Sequence, residues 1–241
     1  MLQIEFKSDT KVTGMLFMDA QRVRRLTALL PSRICVTQCS QPDRDQVERF
    51  IEKTYQRHFG AQIERHYPNL MSVYDSQGKV LAAVGFRLAA QGSLFLEQYL
   101  RTPVEVAIKE ASGTPVDRES IVEVGNLTSA GRGASVFLFV ALAAYLRQRN
   151  LVHAVVTGTS TLRRTFTRLG IEFLELASAD PSALEDDGAS WGSYYRCDPQ
   201  VIAGRIQPAL AGLEPYLPAR HNADLGYLIS RLHSPAMWDI R

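Results

Sequence analysis

The sequence is poor in features that define several large classes of protein. It has three cysteines among 241 residues, an odd and sparse set that argues against a disulfide framework and for a reducing compartment. Its net charge is only +2, and its arginines are scattered rather than gathered into a basic stripe. A nucleic-acid partner is therefore not expected.

Long apolar segments are also lacking. The longest apolar run, residues 136–146, has 11 residues, whereas a helix that spans a bilayer needs about 20. The N-terminal residues lack the apolar centre of a secretory signal peptide. The sequence therefore predicts a cytoplasmic protein without membrane insertion.

The titratable residues do not form common metal or hydrolase signatures. Cys35 and Cys39 are not spaced as a zinc-binding pair, and no His/Cys pair follows them. The five histidines are dispersed, and the motifs H-E-x-x-H and G-x-S-x-G do not occur. We therefore expect neither a metal cofactor nor a hydrolytic triad.

Apolar periodicity predicts an α/β protein, a mixed sheet with helices on both faces. We expect an N-terminal extension (1–32), a central domain (33–198) and a helical C-terminal extension (199–241). The predicted order in the central domain is strand, helix, hairpin, two strands, helix, strand, helix and two strands. The last of these strands is placed at SYYRC, residues 193–197.

The segment IVEVGNLTSAGRGAS, residues 121–135, predicts a buried strand, a glycine-bearing turn and the start of a buried helix. Such a turn presents backbone N–H groups at the positive end of a helix, which suits a phosphate. An ordinary strand-to-helix turn is the alternative. The predicted donor-binding residues are Leu127, Gly131, Arg132, Gly133, Ala134 and Ser135.

Two carboxylates are candidate general bases. Glu123 stands between two valines of the predicted strand. Burial raises the pKa of a carboxyl group, which suits a base that deprotonates an ammonium group. The alternatives are an edge or solvent-facing position of the strand and a structural pair with Arg118 or Arg87. Glu97 follows the apolar residues 94–96 and is the second candidate.

The order of elements, the x-x-x-G-x-G turn and the later segment FTRLGIEF resemble the GNAT acyltransferase fold over residues 33–196. The later segment matches the F-x-x-L-G-F motif of that fold at Phe166, Leu169, Gly170 and Ile171. The resemblance implies a GNAT-like fold and an acyl-CoA or acyl-phosphopantetheine donor held by the turn. Thr128 replaces the Gln or Arg that usually opens this turn.

A closer resemblance is to the thermostable hemolysin family, carried by LEQYL, IVEVGNL, LRRTFTRLGI, Ala179, Asp180 and WGSYY. The family is named for a lytic activity, and its sequences are similar to GNAT enzymes. In architecture they resemble acyl-homoserine-lactone synthases, which carry E-x-S-R-F where this chain has residues 123–127. The acid is present here, whereas the Ser and Arg are not.

The ends of the later strands supply further candidate residues. By resemblance to GNAT enzymes, Tyr194 is the predicted acid beside the leaving thiol. Core packing is the alternative for the aromatic candidates, and helix capping for residues 159–161. The predicted substrate-binding residues are Asn126, Thr157, Thr159, Trp191 and Tyr195.

These observations predict an acyltransferase that moves an acyl group from a phosphopantetheine thioester to a small-molecule amine. The strands IVEVGNL and HAVVTGT are expected to run parallel and then separate, leaving a V-shaped cleft. The alternatives are a membrane-lytic protein and a non-catalytic GNAT-like binding module.

Partners follow from the same resemblance. An acidic acyl carrier protein is compatible with the basic surface, for which a solvated helix face is the alternative. A homodimer is also compatible with the sequence. The arginines of this surface are Arg132, Arg147, Arg149, Arg163, Arg164 and Arg168.

Overall fold

A computed structural model describes residues 2–8, 11–39, 41, 43–131, 133–217 and 228–230. The strands are β1 (Leu2–Ser8), β2 (Lys11–Met18), β3 (Arg33–Gln38), β4 (Asn69–Tyr74), β5 (Val80–Leu88), β6 (Ile121–Ser129), β7 (His153–Gly158), β8 (Leu174–Ser178), β9 (Gln200–Arg205) and β10 (Leu228–Ser230). The helices are α1 (Ala20–Leu26), α2 (Arg44–Phe59), α3 (Val104–Ser112), α4 (Ala134–Gln148), α5 (Ser160–Arg168) and α6 (Ile206–Leu213).

The described strands form one mixed sheet in the order β10-β2-β1-β3-β4-β5-β6-β7-β9-β8. The pairs β1–β3 and β6–β7 are parallel, and the other neighbours are antiparallel. Helix α2 packs on β4–β6, and α3 packs beside β8. Helices α4 and α6 pack together on the opposite face of the sheet. The predicted α/β sheet with helices on both faces is confirmed.

Helix α4 is the centre of the largest core. Eleven of its 15 residues are buried, in agreement with a sequence that is apolar nearly all round. It packs between the sheet and α6. Strand β6 ends at Ser129 and α4 begins at Ala134. The burial of α4 therefore holds its N-terminus close to the end of β6.

Two sequence predictions near the C-terminal end are wrong. Residues 194–197, expected as a strand, form a 3-10 helix because Tyr194 turns into an aromatic core. The next strand is instead β9, which pairs with both β7 and β8. It lies in the segment expected to be helical, where the prolines and Gly204 obscured the short alternating pattern around Val201 and Ala203.

The sheet continues across both predicted boundaries. On the N-terminal side, β1 pairs in parallel with β3. On the C-terminal side, β9 completes the sheet beyond residue 198. The division into segments 1–32, 33–198 and 199–241 stays a prediction about domains. Within the ranges given above, no helix is both long and apolar enough to cross a membrane.

The turn between β6 and α4 packs on the N-terminal segment. Gly133 has φ +81, and a Cβ there would lie 2.7 Å from the carbonyl oxygen of Leu26. A Cβ at Gly131 would meet only a Leu29 methyl group at 3.9 Å. The turn therefore needs glycine at 133 for its conformation and packing, independently of any ligand.

Gly133→Ala should lower the free energy of unfolding by about 1–3 kcal/mol, because it combines a disfavoured φ with a backbone clash. Gly131→Ala is the matched control and should change stability by about 0.5 kcal/mol or less. Urea denaturation of both variants measures the difference. Equal losses at the two positions would contradict this account of the turn.

Candidate active site

The parallel strands β6 and β7 pair along only part of their length. The pairs run from Ile121 with His153 to Val124 with Val156. Beyond this point, β6 continues beside β5 and β7 continues beside β9. The strands therefore separate after Val124 and Val156, which confirms the predicted V-shaped arrangement.

A β-bulge lies where β6 leaves β7. Gly125 pairs with Gly85 and Thr128 pairs with Ala83, so β6 accommodates one extra residue between these pairs. Asn126 in this interval has φ 51, in the left-handed region. A bulge bends its strand and is common beside active sites. The sequence thus builds a kink into the opening of the cleft.

The side chain of Asn126 is buried, and its amide N–H group is a candidate donor to a ligand. It is 6% exposed, and within the described part of the chain its Nδ2 atom has no hydrogen-bond partner. Leaving such a donor unsatisfied costs about 1–3 kcal/mol. A ligand or a water molecule is the usual explanation. The predicted substrate-binding role of Asn126 remains a proposal that this geometry supports.

Glu123 is buried on the face of β6 opposite α4. It is 1% exposed, and its carboxylate accepts hydrogen bonds from the N–H groups of Phe95 at 3.0 Å and Leu96 at 2.9 Å. The Tyr67 hydroxyl also lies near this carboxylate and lowers its pKa. Burial raises the pKa of Glu123 above its usual value, although these hydrogen bonds and the charge of Arg87 oppose the shift. A raised pKa suits a base near neutral pH.

Glu97 has the contacts of a structural residue, and its role as a base stays a prediction. Its carboxylate accepts hydrogen bonds from the N–H groups of Leu94 at 2.8 Å and Val104 at 3.0 Å. It also forms a salt bridge with Arg118 at 2.7 Å. Burial favours a higher pKa, but these contacts outweigh it and lower the pKa of Glu97 to about 2. Such a carboxylate is a weak base. Arg118 also pairs with Glu105 at 2.7 Å.

An aromatic cluster collects the other predicted residues near the end of β7. The Tyr194 hydroxyl donates to the carbonyl oxygen of Thr157 at 3.0 Å, and burial raises the pKa of Tyr194 well above its usual value. The hydroxyls of Tyr99 and Tyr195 lie 2.6 Å apart. The aromatic cluster comprises Tyr55, Phe59, Phe95, Tyr99, Trp191, Tyr194 and Tyr195.

This cluster lies on the Glu123 face of the sheet, since Phe95 contacts both Trp191 and the Glu123 carboxylate. The Tyr194 hydroxyl already donates to a backbone carbonyl oxygen. Its role as the acid stays a prediction. Thr159 is the N-cap of α5, and its hydroxyl accepts a hydrogen bond from the N–H of Leu162 at 3.4 Å. The role of Thr159 in substrate binding stays a prediction.

The predicted donor turn adjoins the cleft. The N–H of Ala134 donates to the carbonyl oxygen of Gly131 at 3.3 Å, and the N–H of Val136 donates to the carbonyl oxygen of Gly133 at 3.2 Å. Ser135 lies in the first turn of α4. Arg132 lies outside the described residues. The role of this turn in donor binding therefore stays a prediction.

The predicted basic surface is only partly available for docking. Arg163 donates to the carbonyl oxygen of Gly158 at 3.1 Å and pairs with Asp198 at 2.7 Å. Arg149 stacks over the Tyr145 ring at 4.4 Å. Arg164 and Arg168 are exposed on α5. The docking of a carrier protein stays a prediction.

An apolar cavity of about 100 Å³ borders the cleft on the α4 face. Val124, Leu127 and Val156 belong to both, because they lie where β6 and β7 separate. Among the described residues, Arg205 is the one charged residue of its lining. Its further walls include Phe139, Leu142, Ala143 and Leu146 from α4, Leu162 and Phe166 from α5, and Ile206, Ala209 and Leu213 from α6.

Sequence reasoning missed this cavity and also missed Tyr67. The cavity draws on several elements, and its apolar residues look like ordinary core residues in the sequence. Tyr67 lies against Gly85 and Gly125. Two glycines inside strands were the available signal, because glycine in a strand often marks the close approach of another group.

The family model named "Thermostable hemolysin" matches residues 37–210. The chain therefore belongs to the thermostable hemolysin family. No curated protein sequence matches the chain. In the described ranges, no group of three or more His, Cys, Asp or Glu side chains is arranged to hold a metal ion.

Solved structures of acyl-homoserine-lactone synthases share the fold. LasI has a TM-score of 0.52 and 12% identity, with 78% of this chain and 98% of that chain covered. The CoA-dependent synthase MesI has a TM-score of 0.50 and 17% identity, with coverage of 76% and 94%. The CoA-dependent synthase BjaI with MTA has a TM-score of 0.50 and 12% identity, with coverage of 76% and 87%. These similarities establish the GNAT-like fold.

Glu97→Gln should reduce the free energy of unfolding at neutral pH, because it weakens the pair with Arg118. The pKa of Glu97 is about 2 in the folded protein against 4.5 for the free group. Its stabilisation is therefore complete above the unfolded pKa and is lost as the pH falls through the folded pKa. The difference from wild type should shrink on acidification.

Denaturant unfolding at neutral pH and at successively lower pH measures this difference. Glu110→Gln is the matched control, since Glu110 is an exposed residue of α3. It should have little effect at any of these pH values. A Glu97→Gln deficit that stays constant as the pH falls would contradict the ion-pair account.

Proposed function

We propose that the protein is an N-acyltransferase that moves an acyl group from a phosphopantetheine thioester to the amine of a small molecule. The observation that carries this proposal is the cleft between β6 and β7, which borders an apolar cavity. It also holds the buried Asn126, whose Nδ2 atom has no hydrogen-bond partner among the described residues. The chain belongs to the thermostable hemolysin family and shares its fold with acyl-homoserine-lactone synthases. Both findings support an acyl-transfer reaction.

The donor arm lies along β6 in this proposal. Past Val124, β6 has left its neighbour β7, so an extended arm with amide groups can pair with its backbone as an added strand would. The phosphates of the donor then reach the turn at residues 131–135, at the N-terminus of α4. The arm is common to coenzyme A and acyl carrier protein, and either donor fits.

The acyl chain occupies the apolar cavity. Each buried methylene contributes about 0.8 kcal/mol to binding, and the cavity lining offers almost entirely apolar contacts. Since Leu127 and Val156 line both the cleft and the cavity, the thioester carbonyl lies at their junction. Asn126 Nδ2 is the proposed donor to this carbonyl oxygen and to the oxyanion that forms on attack.

The reaction needs a proton acceptor on the amine side. The amine nitrogen attacks the thioester carbon, the C–N bond forms, and the C–S bond breaks to release the pantetheine thiol. The amine loses one proton, and Glu123 is the proposed acceptor because burial raises its pKa. The thiolate takes up a proton as it leaves, for which Tyr194 remains the predicted acid.

The direct test is a thioester assay. The full chain is incubated with acyl-CoA species from acetyl to dodecanoyl, with the matching acyl carrier protein thioesters, and with amines that include amino acids and S-adenosylmethionine. We expect amine-dependent thiol release and an N-acyl product by mass spectrometry. Dye release from liposomes by the protein alone, with no thioester consumed, would contradict the proposal.

Ala209→Leu should narrow the cavity and lower kcat/KM for dodecanoyl thioesters by roughly tenfold or more, since a misfit of one or two carbons in an apolar pocket costs about 1–3 kcal/mol. Acetyl transfer should change little. Ala211→Leu, at an exposed position of the same helix, is the matched control. Equal effects on long and short chains would contradict the assignment of the cavity.

A further inference from the structure

Tyr67, in the segment between α2 and β4, occupies space that two strands leave empty. Gly85 of β5 and Gly125 of β6 are direct partners in the sheet. A Cβ on Gly85 would lie 2.7 Å from Tyr67 Cβ, and a Cβ on Gly125 would collide with the Tyr67 ring and hydroxyl. Glycine at both positions is therefore required for the tyrosine to lie against the sheet.

The position of Tyr67 is fixed from several sides. Arg44, which is 5% exposed, donates to the carbonyl oxygens of Tyr67 at 2.7 Å and Pro68 at 3.0 Å. The guanidinium of Arg87 lies 5.9 Å from the centre of the Tyr67 ring. These contacts hold the phenol in one place, as a functional group requires.

The hydroxyl of Tyr67 lies between Glu123 and the cleft. It lies near the Glu123 carboxylate, and each group shifts the pKa of the other. It also lies against Gly125, the first residue of β6 beyond the last pair with β7. Glu123 itself is 1% exposed and is bound to the N–H groups of Phe95 and Leu96. An acceptor amine in the cleft therefore meets the tyrosine before the carboxylate.

We propose that the Tyr67 hydroxyl is a catalytic residue that passes the proton of the attacking amine to Glu123. This inference rests on the proposed function. As the C–N bond forms, the amine proton moves to the Tyr67 oxygen and the phenol proton moves to the Glu123 carboxylate. Tyr67 ends as a neutral phenol and Glu123 ends protonated. The C–S bond breaks to release the pantetheine thiolate, which takes up a separate proton as it leaves.

The charged surroundings favour a relay through a neutral phenol. Burial, reinforced by Glu123, raises the pKa of Tyr67 well above its usual value, so the group does not persist as a phenolate. Tyr55 faces it from α2, and Tyr99 faces Glu123 from the 3-10 helix Phe95–Tyr99. Burial raises the pKa of both, which keeps them neutral. Arg87, on β5, contributes a positive charge.

Tyr67→Phe removes the hydroxyl and keeps the ring that fills the space above the glycines. We expect kcat to fall by roughly a hundredfold, with the KM for the acyl donor unchanged. The hydroxyl lowers the pKa of Glu123, so its loss should raise that pKa and move the acidic limb of the pH–rate profile to higher pH. Tyr74→Phe, the same change at a buried tyrosine of β4 outside the candidate site, should retain wild-type turnover.

Two further measurements separate the outcomes. If both groups act on one proton, Tyr67→Phe combined with Glu123→Gln should be no slower than the slower single variant. A carbon-13 NMR titration of the Glu123 carboxyl group tests the coupling of Tyr67 to Glu123 without any turnover. The pKa of this group should be higher in Tyr67→Phe than in wild type.

Active wild type with an equally active Tyr67→Phe variant and an unchanged pH profile would overturn the relay alone. Fully additive losses in the double variant would also overturn it. Wild type that is inactive with every donor would overturn the proposed function and the relay with it, and the carboxyl titration would then show whether the coupling of Tyr67 to Glu123 is purely structural.

Discussion

A carboxylate buried within a sheet has to be supplied with hydrogen-bond donors, and much of this structure is arranged around that need at Glu123. The N–H groups of Phe95 and Leu96 donate hydrogen bonds to it, and the Tyr67 hydroxyl lies near it. The two backbone bonds tie the 3-10 helix Phe95–Tyr99 to β6. Within the same helix, Glu97 binds Arg118 and the first N–H of α3, which extends the network to the next helix.

The sheet divides the proposed chemistry into two environments. On the α4 face, the cavity is apolar and suits an acyl chain. On the other face, Glu123, Tyr67 and the aromatic cluster supply polar groups in a buried setting. The bulge at Asn126 lies where β6 leaves β7, so that a thioester in the cleft has access to both faces. In the proposed function, one strand thereby positions the acyl chain, the carbonyl and the proton acceptor.

Local patterns in the sequence predicted the elements that have strong periodicity or clear caps. The apolar spacing of α2 and its end at Gly60, the β4–β5 hairpin, and the strand–turn–helix unit of β6 and α4 all occur. Residues 193–197 misled the prediction because aromatic residues that favour strands here fill a core around Tyr55 and Tyr194. Strand β9 was missed because it is short and flanked by turn-forming residues.

The sequence predicted only those properties of the site residues that depend on their neighbours in the same strand. The apolar neighbours of Glu123 predicted its burial. They did not predict its hydrogen-bond donors, because these lie about 27 residues away in the sequence. Glu97 looked similar to Glu123, yet Arg118 makes it an ion-pair member. Tyr67 and the cavity depend on contacts between distant segments, which periodicity does not encode.

The central claim is that the cleft between β6 and β7 holds an acyl thioester with its chain in the cavity. A crystal structure of the full chain with a non-hydrolysable thioether analogue of a medium-chain acyl-CoA tests it most directly. The account predicts the acyl chain among Phe139, Phe166 and Ala209, with the carbonyl oxygen within hydrogen-bonding distance of Asn126 Nδ2. An analogue bound elsewhere, with the cavity empty and Asn126 unengaged, would contradict it.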